Sequence, residues 1–532
     1  MSIHLTSTLD PTQITSSGRR WHAQVSLYRA NKPARSKLRQ RQPLHARPVS
    51  QLASLFDFAR PKPPKLPPAS EPEFQSWLEK RGLPRQQVDL ADTGDAGRGL
   101  VARQRIKQNE ALLRVPEGLL LTAEAALSEA KLGKLLRKAG VPAWSALATL
   151  LVEVRHDEAS SSSRWGPYIA VLPATCGCVL EWPRNEVSQL LRGSPALRQA
   201  QELIAAADSS WQELEGVISE AEESGLVQPG IYTRQAYTWA FSMLLSRLVR
   251  LPGRGDEEAL IPWADFLNHS STAGSFLDFE PSSSSVILRP SAAVPQGAQV
   301  FASYGEKSNA ELLLSYGFLL DTNVHDCYRL TLSAPARDPV STRRPSSQPP
   351  ASDQLVQEAL HVPHCEAKLA ALERLQRSRE ASFPLRTSGT PQGLLQFAAF
   401  LAAGDKQGIG PADVDGLAEL LLGSAGFAGV SKRQELERAG AQQVSDCCRA
   451  ALKQYPRPLA EEQDFLAAAN RRAGEAGGVG GGKDTPTQAA AKRAFWASSI
   501  RVQEQKILHR TIFILQESYG LSAAKRALAQ RV

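Results

Sequence analysis

The sequence has few cysteines and no long hydrophobic run. Only 6 of its 532 residues are cysteine, namely Cys176, Cys178, Cys327, Cys365, Cys447 and Cys448. Their spacing fits neither a disulfide framework nor a four-ligand zinc site, so we expect free thiols in a reducing compartment and no metal. Cys176 and Cys178 could form half a metal site, but no matching pair or His cluster lies nearby in the sequence, which favours two small buried side chains. No stretch approaches the roughly 18 consecutive apolar residues that span a bilayer, so we expect no membrane role.

Acidic residues are scarce at the start of the chain. Residues 1–56 hold nine Lys or Arg side chains and a single acidic one, Asp10, which accounts for the formal net charge of +8. The rest of the chain is neutral in balance, so we expect no nucleic-acid partner. The leader is rich in Ser, Thr and Arg and has no apolar core, which is typical of an organelle transit peptide. A disordered basic arm that binds polyanions is the alternative, and composition does not decide between chloroplast and mitochondrion.

Segments rich in proline or glycine divide the chain. The run Pro61–Pro68 predicts a stiff linker over 57–70, and five prolines between Pro335 and Asp353 predict a second linker over 333–354. We therefore expect folded domains over 71–332 and 355–532. The glycine-rich segment Ala473–Lys483 is interpreted as a surface loop, because a phosphate-binding loop would continue from Lys into Ser or Thr.

Hydrophobic periodicity predicts an α+β domain in the middle of the chain. Strand-length patterns occur in Arg98–Arg103, Glu110–Val115, Ser285–Arg289 and Ala298–Ser303. Helical stripes occur between them, in Trp144–Arg155 and Gln235–Arg250. The simplest description is a β-fold that is interrupted by a helical insertion at about 122–255.

The last third, 355–532, has helical periodicity almost throughout. Apolar stripes occur in Ala367–Arg379, Gly393–Ala403, Leu417–Leu422 and Ile500–Leu515. We expect an all-α domain, which serves either as a surface that holds a partner or as a helical cap on the core.

A glycine-rich turn is the first feature that could take part in chemistry. The sequence Gly94-Asp95-Ala96-Gly97-Arg98-Gly99 resembles a nucleotide-binding fingerprint, but that fingerprint must open a helix, and here strand-like residues follow. A Rossmann-type fold is therefore disfavoured. A plain tight turn remains an alternative.

Two further features lie around residues 247–270. The apolar run from Ile261 ends in Asn268, His269 and Ser270, which alone could be an ordinary turn. Arg247 closes an apolar helix and needs a carboxylate partner, which could belong to a ligand or to a structural salt bridge.

The fourth feature is a short helix with a signal at each end. Ser308 and Glu311 form a capping-box pattern, and Gly317 is placed to end the helix in a left-handed turn. Tyr304 precedes this helix and Tyr316 closes it, so we expect their two phenols to lie near one another.

In this order, the four features resemble the SET-domain methyltransferases, and specifically the group typified by the Rubisco large-subunit lysine methyltransferase. The resemblance extends from about Phe74 to Leu332, and the helical third resembles that group's Rubisco-substrate-binding domain. It implies S-adenosylmethionine as cofactor, bound by Ala96, Gly97, Arg98, Arg247, Asn268 and His269. It also implies that Tyr304 is catalytic and that Arg247, Asp265, Tyr304 and Tyr316 line the channel for a target lysine.

Two departures from the family pattern concern the channel. The aromatic residue expected after the Asn-His pair has to be supplied by Phe276 or Phe279, and the loop carrying Tyr304 is one residue shorter.

The function implied by the resemblance is protein-lysine N-methylation in the chloroplast stroma, with mitochondrion as the second choice. Rubisco large subunit and fructose-bisphosphate aldolase are the first candidate substrates. Methyl transfer needs an aligned, uncharged amine and no metal, and a narrow channel with a tyrosine hydroxyl suits it. The alternatives are histidine methylation, as in actin, and a SET fold that only binds proteins.

Overall fold

A computed structural model describes residues 70–156, 163–334, 360–476 without positions 361, 392, 425, 429 and 431, and 486–521. The chain divides into two compact units. The first contains the described residues up to Thr175 together with Ala206–Glu306, and the second contains Cys176–Ala205 and the described residues from Lys307 onward. This division falls at Glu306, whereas the predicted linker follows residue 332. The predicted transit peptide, both predicted linkers for the most part, and most of the glycine-rich loop lie outside the described residues.

The first unit contains a four-stranded sheet in the order β1-β2-β10-β7. Its strands are β1 (Val88–Asp92), β2 (Arg98–Ala102), β10 (Gln299–Ala302) and β7 (Asn268–His269). Strands β1, β2 and β10 pair antiparallel, while β10 and β7 pair in parallel with Phe301 opposite Asn268 and Ala302 opposite His269. The turn between β1 and β2 therefore lies in the same sheet as the Asn-His pair.

Two three-stranded sheets complete the β-structure of the first unit. One has the order β3-β9-β8 and the other β4-β6-β5. Their strands are β3 (Leu113–Pro116), β4 (Leu121–Thr122), β5 (Val249–Leu251), β6 (Glu257–Leu260), β8 (Asp278–Glu280) and β9 (Ser285–Leu288). Each of the four predicted strand segments overlaps an observed strand, so the strand prediction is confirmed.

The helices between β4 and β5 confirm the predicted helical insertion. After α1 (Ser70–Lys80), they are α2 (Ala123–Glu129), α3 (Gly133–Ala139), α4 (Ala143–His156), α5 (Gly166–Val171), α6 (Arg184–Leu190), α7 (Ala196–Glu223) and α8 (Arg234–Arg247). Helix α4 is buried from Trp144 to Val154, as its almost continuous apolar sequence requires. Thr233 is the N-cap of helix α8, and its side chain accepts a hydrogen bond from the Ala236 amide at 3.1 Å.

The second unit is mainly helical. Besides α6 and the start of α7, its helices are α9 (Asn309–Tyr316), α10 (Cys365–Arg374), α11 (Leu394–Ala402), α12 (Val414–Leu422), α13 (Arg433–Leu452), α14 (Leu459–Ala476) and α15 (Pro486–Tyr519). Its core includes Phe400, Cys447 and Cys448, which are fully buried. These helices confirm the predicted stripes. At Ser308 the predicted capping box is present, and Gly317 ends α9 with φ 75°.

One strand departs from the expected all-α C-terminal domain. Strand β12 (Glu380–Leu385) pairs antiparallel with β11 (Tyr328–Ser333). The prediction missed it because β12 carries Pro384, which weakens the strand pattern. Its partner, moreover, lies before residue 355, outside the predicted domain. In the described part of the chain, none of the helices is long and apolar enough to cross a membrane.

Candidate active site

The glycine-rich turn connects β1 to β2. The Thr93 amide and hydroxyl both donate to the Gly97 carbonyl, at 2.7 and 2.8 Å, and the Gly97 amide donates to the Gly94 carbonyl at 2.8 Å. The backbone of Gly97 has φ 70° and ψ −133°, a conformation that residues other than glycine rarely adopt. The turn leads into a strand and not into a helix, so the exclusion of a Rossmann-type fingerprint is confirmed.

Asn268 joins this turn. Its side-chain amide donates to the Arg98 carbonyl at 3.2 Å and to the Thr93 hydroxyl at 3.4 Å. Gly99 makes this approach possible, because a Cβ there would lie 2.8 Å from Asn268 Nδ2 and 2.7 Å from Gln299 Nε2. Sequence reasoning assigned no role to Thr93 or Gly99. The signal in the sequence was Gly99 itself, because a glycine in a strand often marks a place where another group approaches the backbone closely.

The side chain of Arg98 contacts residues outside the turn. Its guanidinium lies 3.3 Å from the Glu71 carboxylate, donates to the Val171 carbonyl at 2.6 Å and lies over the Phe266 ring at 4.9 Å. The backbone of Arg98, and not its charge, therefore contributes to the predicted cofactor turn.

His269 and Tyr304 form a stacked pair. Their rings are 5.0 Å apart and nearly parallel, and the Tyr304 amide donates to His269 Nδ1 at 3.1 Å. The Tyr304 hydroxyl donates to the Leu267 carbonyl at 2.5 Å. The predicted catalytic phenol is thus held beside the backbone that leads to Asn268.

Asp265 lies on the single turn Ala264–Phe266, just before Leu267. The buried phenol of Tyr168 donates to its Oδ2 atom. Burial raises the pKa of Asp265 to about 6, although the positive charge of Arg247 and the hydrogen bond from Tyr168 act in the opposite direction. Burial and the neighbouring carboxylate hold the pKa of Tyr168 well above its usual value, so this phenol stays protonated and is the donor.

Arg247 is close enough to influence Asp265 without pairing with it. Its guanidinium donates to the Ser246 hydroxyl at 2.8 Å. Among the described residues, Arg247 has no carboxylate within 4.0 Å, so the structural salt bridge considered from sequence is absent there. A half-buried cation in this position is available to an anionic group of a ligand.

The remaining predicted channel residues differ in their surroundings. Phe276 is 60% exposed, whereas the Phe279 ring is covered by the guanidinium of Arg254 at 5.2 Å. Of these two residues, Phe276 is therefore the one whose ring is open to an incoming side chain.

Tyr316 belongs to the second unit, where it is the last residue of α9 and its ring meets the Phe318 ring edge-on at 6.2 Å. Its role in the channel, and its expected proximity to Tyr304, stay predictions.

Cys176 and Cys178 have a third potential metal ligand, Glu181, in the second unit. The three ligand atoms lie within 4.8 Å of one another. The Glu181 carboxylate, however, already accepts hydrogen bonds from the amides of Cys176 and Gly177. A hydrogen bond to Cys178, together with burial, holds the pKa of Cys176 well above that of a free thiol, and a metal would need the thiolate. Hydrogen bonding within the loop accounts for this cluster without an ion.

Tyr168 is another site residue that the sequence did not predict. It lies on α5, a six-residue helix too short for periodicity to assign its faces. Only the fold brings it against Asp265, which lies 97 positions later in the chain.

Two protein-family models match the chain. A SET domain model matches residues 97–305, and a Rubisco LSMT substrate-binding model matches residues 361–508. The chain therefore combines a region that matches the SET domain with a region that matches the Rubisco LSMT substrate-binding domain.

Curated relatives match about half of the chain. A chloroplastic fructose-bisphosphate aldolase-lysine N-methyltransferase of Arabidopsis thaliana is 31% identical over 53% of this chain and 61% of its own length. The chloroplastic ribulose-1,5-bisphosphate carboxylase/oxygenase large-subunit N-methyltransferase of Pisum sativum is 29% identical over 52% of this chain and 56% of its own length. An actin-histidine N-methyltransferase of Gallus gallus is 29% identical over 50% and 45%. The matched region thus spans less than two thirds of each relative.

Solved structures share the fold. The structure of Rubisco LSMT bound to AdoMet covers 85% of this chain and 93% of its own, with a TM-score of 0.60 and 23% identity. The SET domain of LSMT bound to lysine and AdoHcy covers 84% and 91%, with a TM-score of 0.61 and 22% identity.

Proposed function

We propose that this protein transfers a methyl group from S-adenosylmethionine to a lysine side chain of a protein in the chloroplast stroma. The observation that carries the proposal is the joining of three features in one sheet: the glycine-rich turn, Asn268 bonded to that turn, and His269 stacked on Tyr304. The match of residues 97–305 to the SET domain supports it.

The residues fit the proposed cofactor. Arg247 is a cation with no ion pair among the described residues, as a ligand carboxylate requires. The backbone of Ala96, Gly97 and Arg98 forms a turn with no bulky side chain at Gly97, and Asn268 holds that turn in place. When bound, S-adenosylmethionine supplies a sulfonium methyl group for transfer.

The protein's own residues supply alignment and a polar environment. In the proposed reaction, the hydroxyl oxygen of Tyr304 and the Leu267 carbonyl that it contacts stabilise the polarised methyl group through C–H···O contacts. Asp265, whose pKa burial raises to about 6, is ionised above that pH and can accept a hydrogen bond from the attacking nitrogen. The metal-free chemistry expected from sequence suits these residue types.

Histidine methylation is the second candidate function. The actin-histidine N-methyltransferases of several vertebrates are 27% to 29% identical to this chain over about half of it. A carboxylate such as Asp265 could orient an imidazole as well as an amine. The lysine proposal rests on the two chloroplastic relatives, one of which is 31% identical to this chain.

A labelling experiment tests the proposal. The protein from Glu71 onward is incubated with radiolabelled S-adenosylmethionine and a stromal extract, beside Tyr304→Phe, and the labelled residue is located by mass spectrometry. We expect label on a lysine of one protein, with the Rubisco large subunit and fructose-bisphosphate aldolase as first candidates, and a strong loss in Tyr304→Phe. Label on histidine would favour the second candidate. Cofactor binding without label would point to another pool of substrates, and absence of cofactor binding would leave a protein-binding module.

The compartment is tested separately. The basic, acid-poor residues 1–56 and the chloroplastic relatives support import into the chloroplast. Residues 1–60 fused to a fluorescent protein should enter chloroplasts of plant cells. A cytosolic fusion would contradict this compartment, and a mitochondrial one would establish the second choice.

A further inference from the structure

Two buried tyrosines of the first unit differ in what their phenols contact. Tyr237 shares hydrogen bonds with two hydroxyls, those of Ser210 at 3.0 Å and Ser145 at 3.3 Å. Tyr168 donates instead to a carboxylate, and that carboxylate lies two residues before Leu267, the residue that holds the Tyr304 hydroxyl. The phenol of Tyr168 therefore acts on the charge of a carboxylate whose backbone leads to the contact of Tyr304, whereas the phenol of Tyr237 contacts only uncharged hydroxyls.

The ring of Tyr168 is fixed from several sides. It is fully buried, and the Phe74 ring lies 6.3 Å away. Phe74 also packs on Phe266, the neighbour of Asp265, at 5.9 Å. An aromatic cluster therefore connects α1, α5 and the turn that carries Asp265, so the phenol has little freedom to leave its carboxylate partner.

The charged form of Asp265 is stabilised by this phenol and also by the backbone of Ile261. Among the described residues, Tyr168 is the only side chain that donates a hydrogen bond to it. The titratable groups that act on it are Tyr168 and Arg247, and Arg247 acts through space without forming an ion pair. One oxygen of the carboxylate is thus fixed by the protein.

We propose that Tyr168 is a positioning residue: its phenol fixes Oδ2 of Asp265 so that this carboxylate orients the side-chain nitrogen that accepts the methyl group. This rests on the proposed function, because it assigns Asp265 to the nitrogen of the substrate. Tyr168 acts through Asp265 and makes no contact with the reacting atoms itself. Its removal should change the state of Asp265 and leave the binding of the cofactor intact.

The direction of the effect follows from the hydrogen bond. Donation from the phenol stabilises the ionised carboxylate and so lowers the pKa of Asp265 against the opposing effect of burial. In Tyr168→Phe, the carboxylate should ionise at higher pH. A hydrogen bond to a charged group corresponds to a shift of about one pH unit.

The test compares Tyr168→Phe with Tyr237→Phe, Asp265→Asn and the double variant Tyr168→Phe/Asp265→Asn. The first readout is the binding of free L-lysine in the presence of S-adenosylhomocysteine, measured by calorimetry from pH 5 to 9. We expect the acid limb of binding to move up by about one pH unit in Tyr168→Phe and to stay unchanged in Tyr237→Phe. The double variant should bind lysine as Asp265→Asn does, because Tyr168 acts only through Asp265.

The second readout needs no ligand. Carbon-13-labelled aspartate carboxyls are titrated by NMR, and the Asp265 signal is assigned by its loss in Asp265→Asn. An upward shift in Tyr168→Phe supports the action of Tyr168 on Asp265. The same shift without any binding of lysine would count against the proposed function, and with it against the assignment of Asp265 to the substrate nitrogen. An unchanged titration of Asp265, or an additive loss in the double variant, would overturn the positioning role.

Discussion

Each unit of the molecule buries a tyrosine against a carboxylate near an arginine, and the two arrangements differ in what the arginine does. In the first unit Tyr168 binds Asp265, and Arg247 stands nearby without an ion pair among the described residues. In the second unit Tyr455 donates to Glu504 at 2.8 Å, and Arg501 nearby is paired with another carboxylate.

The second arrangement is closed. Arg501, only 2% exposed, lies 2.5 Å from Glu462 and also donates to the Leu190 carbonyl. Glu504 accepts a second hydrogen bond from Ser194 at 2.8 Å. Its charged groups have partners within the unit, which is typical of a structural network.

The comparison shows that a perturbed pKa does not by itself indicate a functional site. Burial raises the pKa of Glu504 to about 8 and that of Asp265 to about 6, so the residue with the larger shift is the structural one. The difference lies in the arginines: the charge of Arg501 is neutralised within its unit, while that of Arg247 is available to a ligand. We therefore expect variants of the first unit to change activity and variants of the second to change stability.

The largest expected effect is on methyl transfer. Tyr304→Phe removes the hydroxyl that contacts the Leu267 carbonyl and should lower the turnover number about 1000-fold, within the range for loss of a preorganised polar group. Cofactor affinity, measured by calorimetry, should change less than about threefold. Tyr232→Phe, which removes a buried phenol bonded to Glu153, is the matched control and should keep its activity. Equal turnover in both variants would contradict a catalytic role for Tyr304.

The next effect is on the stability of the second unit. Glu462→Ala leaves Arg501 buried without its carboxylate and should lower the free energy of unfolding by about 4 kcal/mol, as is typical when one partner of a buried ion pair is removed. Urea unfolding measures this, with the exposed neighbour Glu461→Ala as control. Methyl transfer per folded molecule should be unchanged. A loss of methyl transfer in Glu462→Ala without a loss of stability would contradict the structural role of this network.

A pH effect on stability distinguishes the same network. Glu504 has a folded pKa raised from 4.5 to about 8, so between these values the folded state holds a proton that the unfolded state has lost. Its contribution to stability therefore falls as pH rises through this window. Glu504→Gln removes that dependence, so the variant should gain about 2 kcal/mol relative to the original protein between pH 6 and pH 8. Parallel stability curves for the two proteins would contradict the raised pKa.

The smallest expected effect is on the cofactor turn. Gly99→Ala places a methyl group against the amide of Asn268 and should weaken S-adenosylmethionine binding about tenfold, since the Asn268 contact with the turn must shift. Gly216→Ala lies on α7 with open space around it and is the control; it should leave affinity unchanged. Unchanged affinity for S-adenosylmethionine in Gly99→Ala would contradict the assignment of Asn268 to the cofactor pocket.

Much of the fold could be predicted because its signals are local. The capping box at Ser308, the left-handed Gly317 and the stripes of α4 and α8 depend on neighbouring residues, and the structure contains each of them. The strand β12 could not be predicted, because its pairing with β11 depends on residues some fifty positions away.

The candidate site shows the same limit. The motifs locate Asn268, His269 and Tyr304, which the sheet then brings together. The hydrogen bond from Tyr168 to Asp265 joins two distant segments, so it required the fold. That Arg247 forms no ion pair with any residue that the structure describes also required the fold, because a motif cannot show whether a carboxylate lies opposite.

Hydrogen exchange followed by mass spectrometry, with and without S-adenosylmethionine, tests the central contrast most directly. We predict protection in the peptides that contain Thr93–Arg98, Arg247 and Asn268–His269, and no change in the peptides that contain Tyr455, Glu462 and Glu504. Protection confined to the second unit, or none in the first, would contradict the account that the open arrangement in the first unit is the binding site.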